Sequence, residues 1–389
     1  MSKLILSSEL LNRLVDGRTP SKDEAYHIHQ DAEDNPLELY KVSQFLRTKN
    51  KGKTVTYSRK VFFNIINLCR DTCTYCTYKS EPGQAKVSML SKKDIVSLTG
   101  IAKKYNCTEA LFVTGERPEQ KYHEARTWLK ENGFSSTVEY LVEASEIALA
   151  GGLFPHTNAG NLTKDEMRQL RNTNVSLGVM LENSSERLSE EGMPHQFAPS
   201  KNPKARIKVL QNAGELKIPM TTGLLVGIGE TPQEMIDSIY AIKEIHDRYQ
   251  NIQEIILQNF QPKIDTPMKS SPSPQERYFK TFVALTRIIL PDMNIQIPPN
   301  LSPGSYSSFL SAGINDWGGI SPITQDYVNP EFPWPSINDV SVNCTDAGFH
   351  LRARFPVYPE FFHMVDPHLV EKMSKISDSE NLVSQEYSK

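Results

Sequence analysis

The sequence predicts an α/β fold: a TIM-type (β/α) barrel or near-barrel with a helical N-terminal extension. The first observation is that apolar runs of five to eight residues recur from residue 61 onward, roughly 20 to 45 residues apart. Such runs are typical of parallel strands that are buried on both faces. The second is that helix signals lie between the runs, and about seven right-handed β-α units in succession close into a barrel. In such barrels the reactive residues lie after the carboxyl ends of the strands.

The chain divides into four predicted segments, beginning with the helical extension. Residues 1–57 have the pattern of short, polar-faced helices and end in the basic stretch 49–53, which we interpret as a solvated helical lead-in. We predict the core barrel over 58–300 and a C-terminal part that completes the barrel over 301–373. We predict a flexible tail over 374–389, because polar segments at chain ends are commonly unstructured.

Strands and helices alternate along the predicted barrel. The segment 91–105 has the apolar spacing of an amphipathic helix. Thr163 and Thr231 each begin a capping-box sequence, with glutamate three residues later. Pro232 follows at a first helical position, where its missing N–H costs nothing. The predicted strands are the apolar runs at 61–67, 110–115, 152–156, 175–182, 220–227, 255–260 and 294–300.

Composition and charge indicate ordinary globular material and exclude several classes of partner. Of the 389 residues, 38% are hydrophobic and 23% are charged, which suits a large buried core. The net charge of −3 provides no global field for nucleic acid, so no nucleic-acid partner is expected. No apolar run approaches the ~18 residues of a membrane span, and the apolar stretch at the N-terminus is too short for a signal peptide. We therefore expect a cytoplasmic protein with no membrane partner.

Three of the five cysteines, Cys69, Cys73 and Cys76, follow the first predicted strand within eight residues of one another. Thiolates favour zinc or iron–sulfur clusters. A structural zinc site closes with four ligands, yet this loop has neither a second cysteine pair nor a nearby histidine. A C-x3-C-x2-C loop instead suits three irons of a 4Fe–4S cluster and leaves the fourth iron open for an exogenous ligand. Cys107 and Cys344 stand alone and are predicted to be small buried residues.

The cysteine loop, with the aromatic Tyr75 just before its third cysteine, resembles that of the radical S-adenosylmethionine (SAM) superfamily. The resemblance implies a barrel of the radical SAM type and two cofactors, a 4Fe–4S cluster on the three cysteines and SAM on its free iron. It implies an external electron donor as well. In this superfamily the reduced cluster cleaves SAM, and the resulting 5′-deoxyadenosyl radical abstracts a substrate hydrogen.

The second predicted strand ends in Thr114, Gly115 and Glu116. This sequence resembles the superfamily's G-G-E motif, which receives the methionine amino group of SAM, with Thr114 in place of the first glycine. A glycine allows close approach of the backbone, and carboxylate or carbonyl oxygens suit an ammonium group. An N-cap before Pro118 is the other interpretation of these residues.

Two further positions match SAM-binding residues of the superfamily. Glu182, at the end of the fourth predicted strand, is placed like the residue that holds the ribose hydroxyls. Arg206, in the next predicted helix, is placed like the arginine that pairs with the SAM carboxylate. Taken alone, either residue would more often be an ordinary surface charge. The sequence G-L-L-V-G-I-G-E over 223–230 matches the G-x-I-x-G-x-x-E pattern near the adenine and includes Gly227 and Glu230. A buried strand followed by a glycine turn is compatible with the same sequence.

Longer strings between residues 60 and 360 are similar to the FO synthase family, whose product is 7,8-didemethyl-8-hydroxy-5-deazariboflavin (FO). They include N-L-C-R-D-T-C-T-Y-C, F-P-H-T-N-A-G and A-G-I-N-D-W-G-G-I-S-P-I-T. The resemblance is to the ring-closing radical SAM subunit, a carbon–nitrogen lyase. The implied substrate is a tyrosine-derived hydroxybenzyl adduct of 5-amino-6-(D-ribitylamino)uracil, which is oxidised and cyclised with loss of ammonia. A separate radical SAM subunit is the implied source of the adduct, because this chain has one cysteine motif.

A uracil with a ribityl chain is a small-molecule substrate that needs polar partners in a mostly apolar pocket. His156 is a candidate base for the cyclisation, because histidine titrates near neutrality. Each of the other candidates would, taken alone, more often be a turn residue than a direct contact. They are the strand-end residues Asn158, Gln258, Asn259 and Asn300, with Asn315 and Asp316 from the next β-α loop.

Two alternatives stay open at this point. One is another radical SAM biosynthetic enzyme, such as a menaquinone-pathway or biotin-synthase-like member. The other is an electron carrier or a zinc-stabilised binding protein that uses the cysteines structurally. The second is disfavoured because neither zinc nor simple electron transfer requires Glu116, Glu182 and Arg206 at the strand ends.

Overall fold

Eight parallel strands close into a barrel in the computed structural model, which describes residues 12–14 and 16–388. Strand β1 (Thr54–Asn64) is hydrogen-bonded both to β2 (Glu109–Val113) and to β8 (Asp316–Ile320), so the sheet joins itself. The predicted α/β barrel is confirmed. The remaining barrel strands follow in chain order: β3 (Phe154–Asn158), β4 (Ser176–Gly178), β5 (Met220–Val226), β6 (Ile252–Asn259) and β7 (Asn294–Gln296).

Helices surround the barrel and precede it. None in the described ranges is long and apolar enough to cross a membrane. Directly before β1 lie α1 (Lys22–Asp34) and α2 (Pro36–Lys51). The others are α3 (Lys92–Lys104), α4 (Pro118–Lys121), α5 (His123–Glu131), α6 (Thr137–Ala150), α7 (Lys164–Arg171), α8 (Pro203–Glu215), α9 (Pro232–Tyr249), α10 (Glu276–Ile289), α11 (Ile337–Asp346), α12 (Pro367–Ser374) and α13 (Gln385–Ser388).

The predicted helix starts are confirmed by their caps. The side chains of Thr163 and Thr231 accept hydrogen bonds from the backbone N–H groups three residues later, and both form complete capping boxes. Pro232 is the first residue of α9. The helix predicted over 91–105 begins at Lys92, because Ser91 is its N-cap, and it ends at Lys104.

Two strands were not visible as apolar runs. Strand β8 has the sequence D-W-G-G-I, and the ninth strand, β9 (His350–Arg354), has the sequence H-L-R-A-R. Strand β9 lies outside the closed barrel and pairs in parallel with the first half of β1, over Thr54 to Ser58. Since β1 begins at Thr54, the barrel starts within the segment predicted as the N-terminal extension.

The predictions for the two ends of the chain can be compared with the structure to different extents. Residues 1–11 and 15 of the predicted extension lie outside the described residues, and α1 and α2 account for most of the rest. The predicted flexible tail is packed over its described part. Val383 is 1% exposed, and its N–H donates to the carbonyl of Ala353 in β9 at 3.1 Å. The apolar side chain of Val383 thus packs this mostly polar segment against the core. The boundaries at 57, 300 and 373 stay predictions.

The barrel end remote from the cysteine loop is filled by buried charges. The Arg354 guanidinium, at the end of β9, donates to Asp316 Oδ2 at 2.7 Å and to Glu254 Oε2 at 3.0 Å. The Tyr358 hydroxyl and the Thr221 hydroxyl donate to the two carboxylate oxygens of Glu254, at 2.9 and 2.8 Å. Because every charge has a partner, the network joins β5, β6, β8 and β9 across the barrel.

Replacement of Arg354 by methionine should destabilise the fold strongly, since it leaves Asp316 and Glu254 buried without their cation. Loss of one partner from a buried ion pair typically costs about 3–5 kcal/mol. The matched control is Arg352→Met on the same strand, whose partners Asp378 and Glu380 are both solvent-accessible, and a loss of about 1 kcal/mol is expected. Urea unfolding midpoints measure both changes. Equal midpoints for the two variants would contradict the structural role of Arg354.

Candidate active site

A cavity of about 300 Å³ lies inside the barrel and reaches the cysteine loop. Alternate residues along each strand face it, as the pleat of a strand requires. Its wall includes Lys60 and Phe62 of β1, Glu109, Leu111 and Val113 of β2, His156 and Asn158 of β3, and Glu254, Ile256 and Gln258 of β6.

The three loop cysteines line the cavity at the carboxyl ends of the strands. Burial raises the pKa of the Cys69 thiol to about 11 and that of the Cys73 thiol to about 12. Thiols with a pKa this high are protonated at neutral pH, and a metal that binds them displaces the proton. Cys107 and Cys344 are fully buried and do not line the cavity.

The donor set at the loop fits a cluster better than a single ion. Within the described residues, no three side chains of histidine, cysteine, aspartate or glutamate are arranged to hold one metal ion. A structural zinc ion requires four ligands around one point, whereas an iron–sulfur cluster binds each thiolate through a different iron. The thiols of Cys69, Cys73 and Cys76, which all face one cavity, are compatible with a cluster.

The end of β2 lies directly against the cysteine loop. The Gly115 N–H donates to the carbonyl of Ile66 at 2.7 Å, and the Glu116 N–H donates to Cys69 Sγ at 3.2 Å. A Cβ on Gly115 would lie 2.0 Å from the carbonyl oxygen of Leu68. No side chain fits in that space, so glycine is required for this close approach.

Glu116 and Arg206 face each other in the cavity wall. Glu116 Oε2 accepts a hydrogen bond from the Asn161 N–H at 3.1 Å and lies 3.8 Å from Arg206 Nη2. Arg206 Nε donates to the carbonyl of Ser200 at 2.8 Å. Thr114 also lines the cavity, with its hydroxyl bonded to the carbonyl of Ile66 at 3.1 Å. The structure therefore brings together the predicted ligands of the SAM amino and carboxylate groups.

Glu182 adopts a left-handed backbone conformation, with φ of 62°, which is uncommon for a residue other than glycine. One carboxylate oxygen forms an ion pair with Lys201, and the other, Oε2, is buried with no partner among the described residues. Burial acts to raise the pKa of Glu182, but Lys201 opposes it, and the net pKa is lowered. The carboxylate is thus charged, lines the cavity, and has a free oxygen for a hydroxyl donor.

Three of the predicted SAM residues lie beside the cavity rather than in its wall. The Glu230 carboxylate accepts hydrogen bonds from the backbone N–H groups of Gly227 at 2.7 Å and Ile228 at 2.8 Å, so it holds the turn after β5. The Tyr75 hydroxyl lies 2.9 Å from His195 Nε2, and its ring packs on a small cluster that includes Leu225. Contact of these residues with SAM stays a prediction.

The predicted substrate residues separate into two groups. His156, Asn158 and Gln258 line the cavity. Asn259 and Asn300 do not, because their amide groups stabilise loops: Asn259 Nδ2 donates to the carbonyl of Leu301, and Asn300 Nδ2 to Asp326 Oδ2, both at 3.0 Å.

The predicted β-α loop position of Asn315 and Asp316 is wrong, because both lie where β8 begins. Asn315 Oδ1 accepts hydrogen bonds from Arg287 at 2.8 Å and from the Ile295 N–H at 2.9 Å, while Asp316 binds Arg354. Aspartate is uncommon inside strands, so its sequence signal resembled that of a loop. Both side chains form hydrogen bonds or ion pairs within the protein, and neither lines the cavity.

His156 is buried in the cavity wall, and its Nδ1 lies 2.7 Å from the hydroxyl of Ser176. Burial lowers the pKa of His156 to about 4. The imidazole is therefore neutral at pH 7, the state that a general base requires, although a pKa this low makes it a weak base.

The sequence analysis missed several charged residues of the cavity wall. Lys60 and Glu109 lie on β1 and β2, Lys201 pairs with Glu182, and Asp71 accepts a hydrogen bond from the Ser200 hydroxyl at 3.3 Å. A charge at an inward position of a barrel strand is the signal that could have revealed Lys60 and Glu109.

Comparison with known proteins places this geometry in a family. The model of the radical SAM superfamily matches residues 63–240. The 7,8-didemethyl-8-hydroxy-5-deazariboflavin synthase of Methanopyrus kandleri is 46% identical over 326 residues, which cover 82% of this chain and 98% of that protein. The synthase of Methanococcus maripaludis is 42% identical and covers 91% of this chain and 99% of the relative. That of Methanocaldococcus jannaschii is 40% identical, covering 88% and 93%.

The chain belongs to the FO synthase family. Radical SAM proteins use a 4Fe–4S cluster and SAM, which are accordingly the cofactors of this chain. The relatives disfavour both alternatives raised from the sequence, another radical SAM biosynthetic enzyme and a structural cysteine site.

Solved structures agree on the fold of this FO synthase family member. Methylornithine synthase superimposes with a TM-score of 0.70 at 15% identity and covers 88% of this chain and 97% of its own. The FeFe-hydrogenase maturase HydG from Carboxydothermus hydrogenoformans has a TM-score of 0.72 at 18% identity, with coverage of 96% and 91%. At these identities the likeness concerns the barrel alone.

Replacement of Gly115 by alanine should impair cluster loading, because the added methyl group forces β2 and the cysteine loop apart. Forced overpacking of this kind costs about 1–3 kcal/mol. Iron and sulfide content after anaerobic reconstitution measures the effect. Gly100→Ala in α3 is the control, since its Cβ would meet nothing within 4 Å, and it should load normally. Full iron content in Gly115→Ala would show that the loop tolerates the displacement.

The stability of the protein should fall as the pH decreases from about 6.5 to about 4, partly because of His156. Its unfolded pKa is 6.5 and its folded pKa about 4, so only the unfolded chain gains the proton in that window. The complete shift corresponds to about 3 kcal/mol. The variant His156→Gln should lose this part of the pH dependence, measured as the slope of unfolding free energy against pH. Identical slopes in the variant and the parent would contradict a buried, neutral His156.

Proposed function

We propose that this chain is the ring-closing lyase of FO synthesis, subunit 1 of a two-subunit FO synthase. It would oxidise and cyclise the hydroxybenzyl adduct of 5-amino-6-(D-ribitylamino)uracil, with release of ammonia, to give FO. The main support is identity of 40–46% to FO synthases over at least 93% of each relative's length. The single three-cysteine loop on one cavity supports one radical SAM activity in the chain.

Three sets of side chains would hold the cofactors. Cys69, Cys73 and Cys76 would bind the cluster; when bound, the cluster and SAM supply the radical that removes a substrate hydrogen. Glu182, with its unpartnered Oε2, is suited to the ribose hydroxyls of SAM. Arg206 and Glu116, 3.8 Å apart, present one cation and one anion for the carboxylate and amino groups of SAM.

The barrel wall would position the substrate and exclude water. Asn158 and Gln258 offer amide groups that can donate to and accept from a uracil or a ribityl chain. Neutral His156 can accept a proton at Nε2 during ring closure, while the Ser176 hydroxyl fixes its other nitrogen. A reactive carbon held in a buried site is also protected from quenching by solvent.

Two partners belong to the proposal. A separate radical SAM subunit would supply the adduct, because two radical activities are required and this chain has one cysteine motif. An external donor would reduce the cluster. A cytoplasmic location suits both the buried thiols and a reduced iron–sulfur centre.

The reaction can be tested with the reconstituted full chain. Given SAM, a chemical reductant and the pre-formed adduct, the chain alone should produce fluorescent FO, ammonia and 5′-deoxyadenosine. Given tyrosine and 5-amino-6-(D-ribitylamino)uracil, it should produce no FO until the partner subunit is added. Cys73→Ala should abolish product formation, whereas Cys107→Ala should retain it, because Cys107 is buried away from the cavity.

Two outcomes would refute the assignment. Formation of FO from tyrosine by this chain alone would show that it supplies both activities. Cleavage of SAM without conversion of the adduct would leave only the family membership.

A further inference from the structure

Lys60 and Glu109 occupy directly opposed positions on neighbouring strands. They are partners in the β1–β2 register, and both side chains line the cavity. Lys60 is 7% exposed and Glu109 is 6% exposed. A cation and an anion are thus held side by side, almost completely buried, at one level of the barrel.

Among the described residues, neither the Lys60 ammonium nor the Glu109 carboxylate forms a side-chain hydrogen bond or an ion pair, and both remain accessible to the cavity. The other charged residues of the described cavity wall each have at least one polar partner, as in Arg354 with Asp316, Glu182 with Lys201, and Asp71 with Ser200. Burial of a charge without partners is costly, so an unsatisfied pair in a cavity indicates a missing ligand. Burial also lowers the pKa of Lys60, which Glu109 and Asp326 partly oppose.

The surroundings of Lys60 favour a flat ring. The ring of Trp334 lines the cavity and lies 4.4 Å from Lys60 Nζ, and the ring of Phe62 lies 5.5 Å away. Gly319 allows the Lys60 side chain to pass, because a Cβ there would lie 2.2 Å from Lys60 Cδ. Aromatic faces beside an ammonium and a carboxylate suit a planar ligand that has a carbonyl acceptor next to an N–H donor.

The depth of the pair agrees with a ligand of two linked rings. Glu109 precedes Val113 by four residues, which is about 13 Å along β2 at ~3.3 Å per residue. The segment that touches the cysteine loop begins just after Val113. A ring bound at the level of Glu109 therefore leaves the remainder of the ligand directed towards the cysteines.

We propose that Lys60 and Glu109 bind the pyrimidinedione ring of the substrate, with Lys60 donating to a ring carbonyl, Glu109 accepting from a ring N–H, and Trp334 against the ring face. This inference rests on the proposed function, which supplies a substrate containing that ring. The pyrimidinedione ring offers a carbonyl and an N–H on separate atoms, one for each residue, whereas a phenol has only one hydroxyl to share between them. The proposal therefore places the hydroxybenzyl end nearer the cysteines.

Binding can be measured by anaerobic calorimetry on the cluster-loaded chain, without reductant. The probes are the adduct and 5,6-diaminouracil, which retains the ring but lacks both the ribityl and hydroxybenzyl groups. Lys60→Met and Glu109→Gln should each weaken binding of both probes about tenfold to a hundredfold, since each removes a charge-assisted hydrogen bond. Iron content and SAM affinity should stay at the parent values. Lys243→Met, which removes a partly buried lysine paired with Asp247 on α9, is the matched control and should bind normally.

The outcomes separate the two proposals. Parent-like affinity for both probes in both variants would overturn the recognition pair, whether or not FO is formed. Weaker binding of the adduct with unchanged binding of 5,6-diaminouracil would overturn the ring assignment in favour of the ribityl chain. Pair-dependent binding of 5,6-diaminouracil in a chain that fails to make FO would support the subsite and refute the reaction. Thermal melting of each variant checks that it is folded. The two substituted residues lie on different strands, β1 and β2.

Discussion

The contact between the end of β2 and the cysteine loop determines how the rest of the site is arranged. Gly115 brings its backbone so near to Leu68 that no side chain fits between them, and the Glu116 N–H then reaches the sulfur of Cys69. The same peptide segment places the Glu116 carboxylate beside Arg206. One absent Cβ thus couples the metal-binding loop to the groups that face SAM, and both depend on the parallel pairing of β1 with β2.

The pairing of buried charges is the second feature that determines how the cavity is arranged. A barrel interior that contains many charges is stable only when those charges satisfy one another. The Arg354 network does so at one end, and the pairs of Glu182 with Lys201 and Glu116 with Arg206 do so at the other. Between them, Lys60 and Glu109 lie opposite each other on β1 and β2. Among the described residues of the cavity wall, these two charges have no ion-pair partner, and one oxygen of Glu182 also lacks a hydrogen-bond partner.

The sequence predicted those features whose signal is local. Apolar runs identified seven barrel strands, the capping box at Thr231 located a helix start, and the spacing of Cys69, Cys73 and Cys76 indicated a cluster. Strands β8 and β9 were missed because their residues are stabilised by distant partners: Asp316 by Arg354, and β9 by its pairing with β1. For the same reason, the sequence could not show that Asn259, Asn300 and Asn315 lie outside the cavity wall. An asparagine near a strand end looks alike in sequence whether its amide faces a ligand or a loop carbonyl.

The cavity is closed at one end of the barrel by buried side chains. Arg354, Asp316 and Glu254 are at most 5% exposed and fill the barrel end remote from the cysteines. We therefore expect ligands to enter past the rim formed by the cysteine loop and Glu182. When a ligand occupies that rim, it separates a group bound at the depth of Lys60 from solvent. Along the barrel, the buried ion pairs come first, then the level of Lys60 and Glu109, and then the metal-binding loop. This order arises because the cysteine loop follows the carboxyl end of a strand, at the end of the barrel opposite the ion pairs. In the proposed reaction this order would hold the reacting carbon between the filled barrel end and the cysteine loop, where bulk water is excluded.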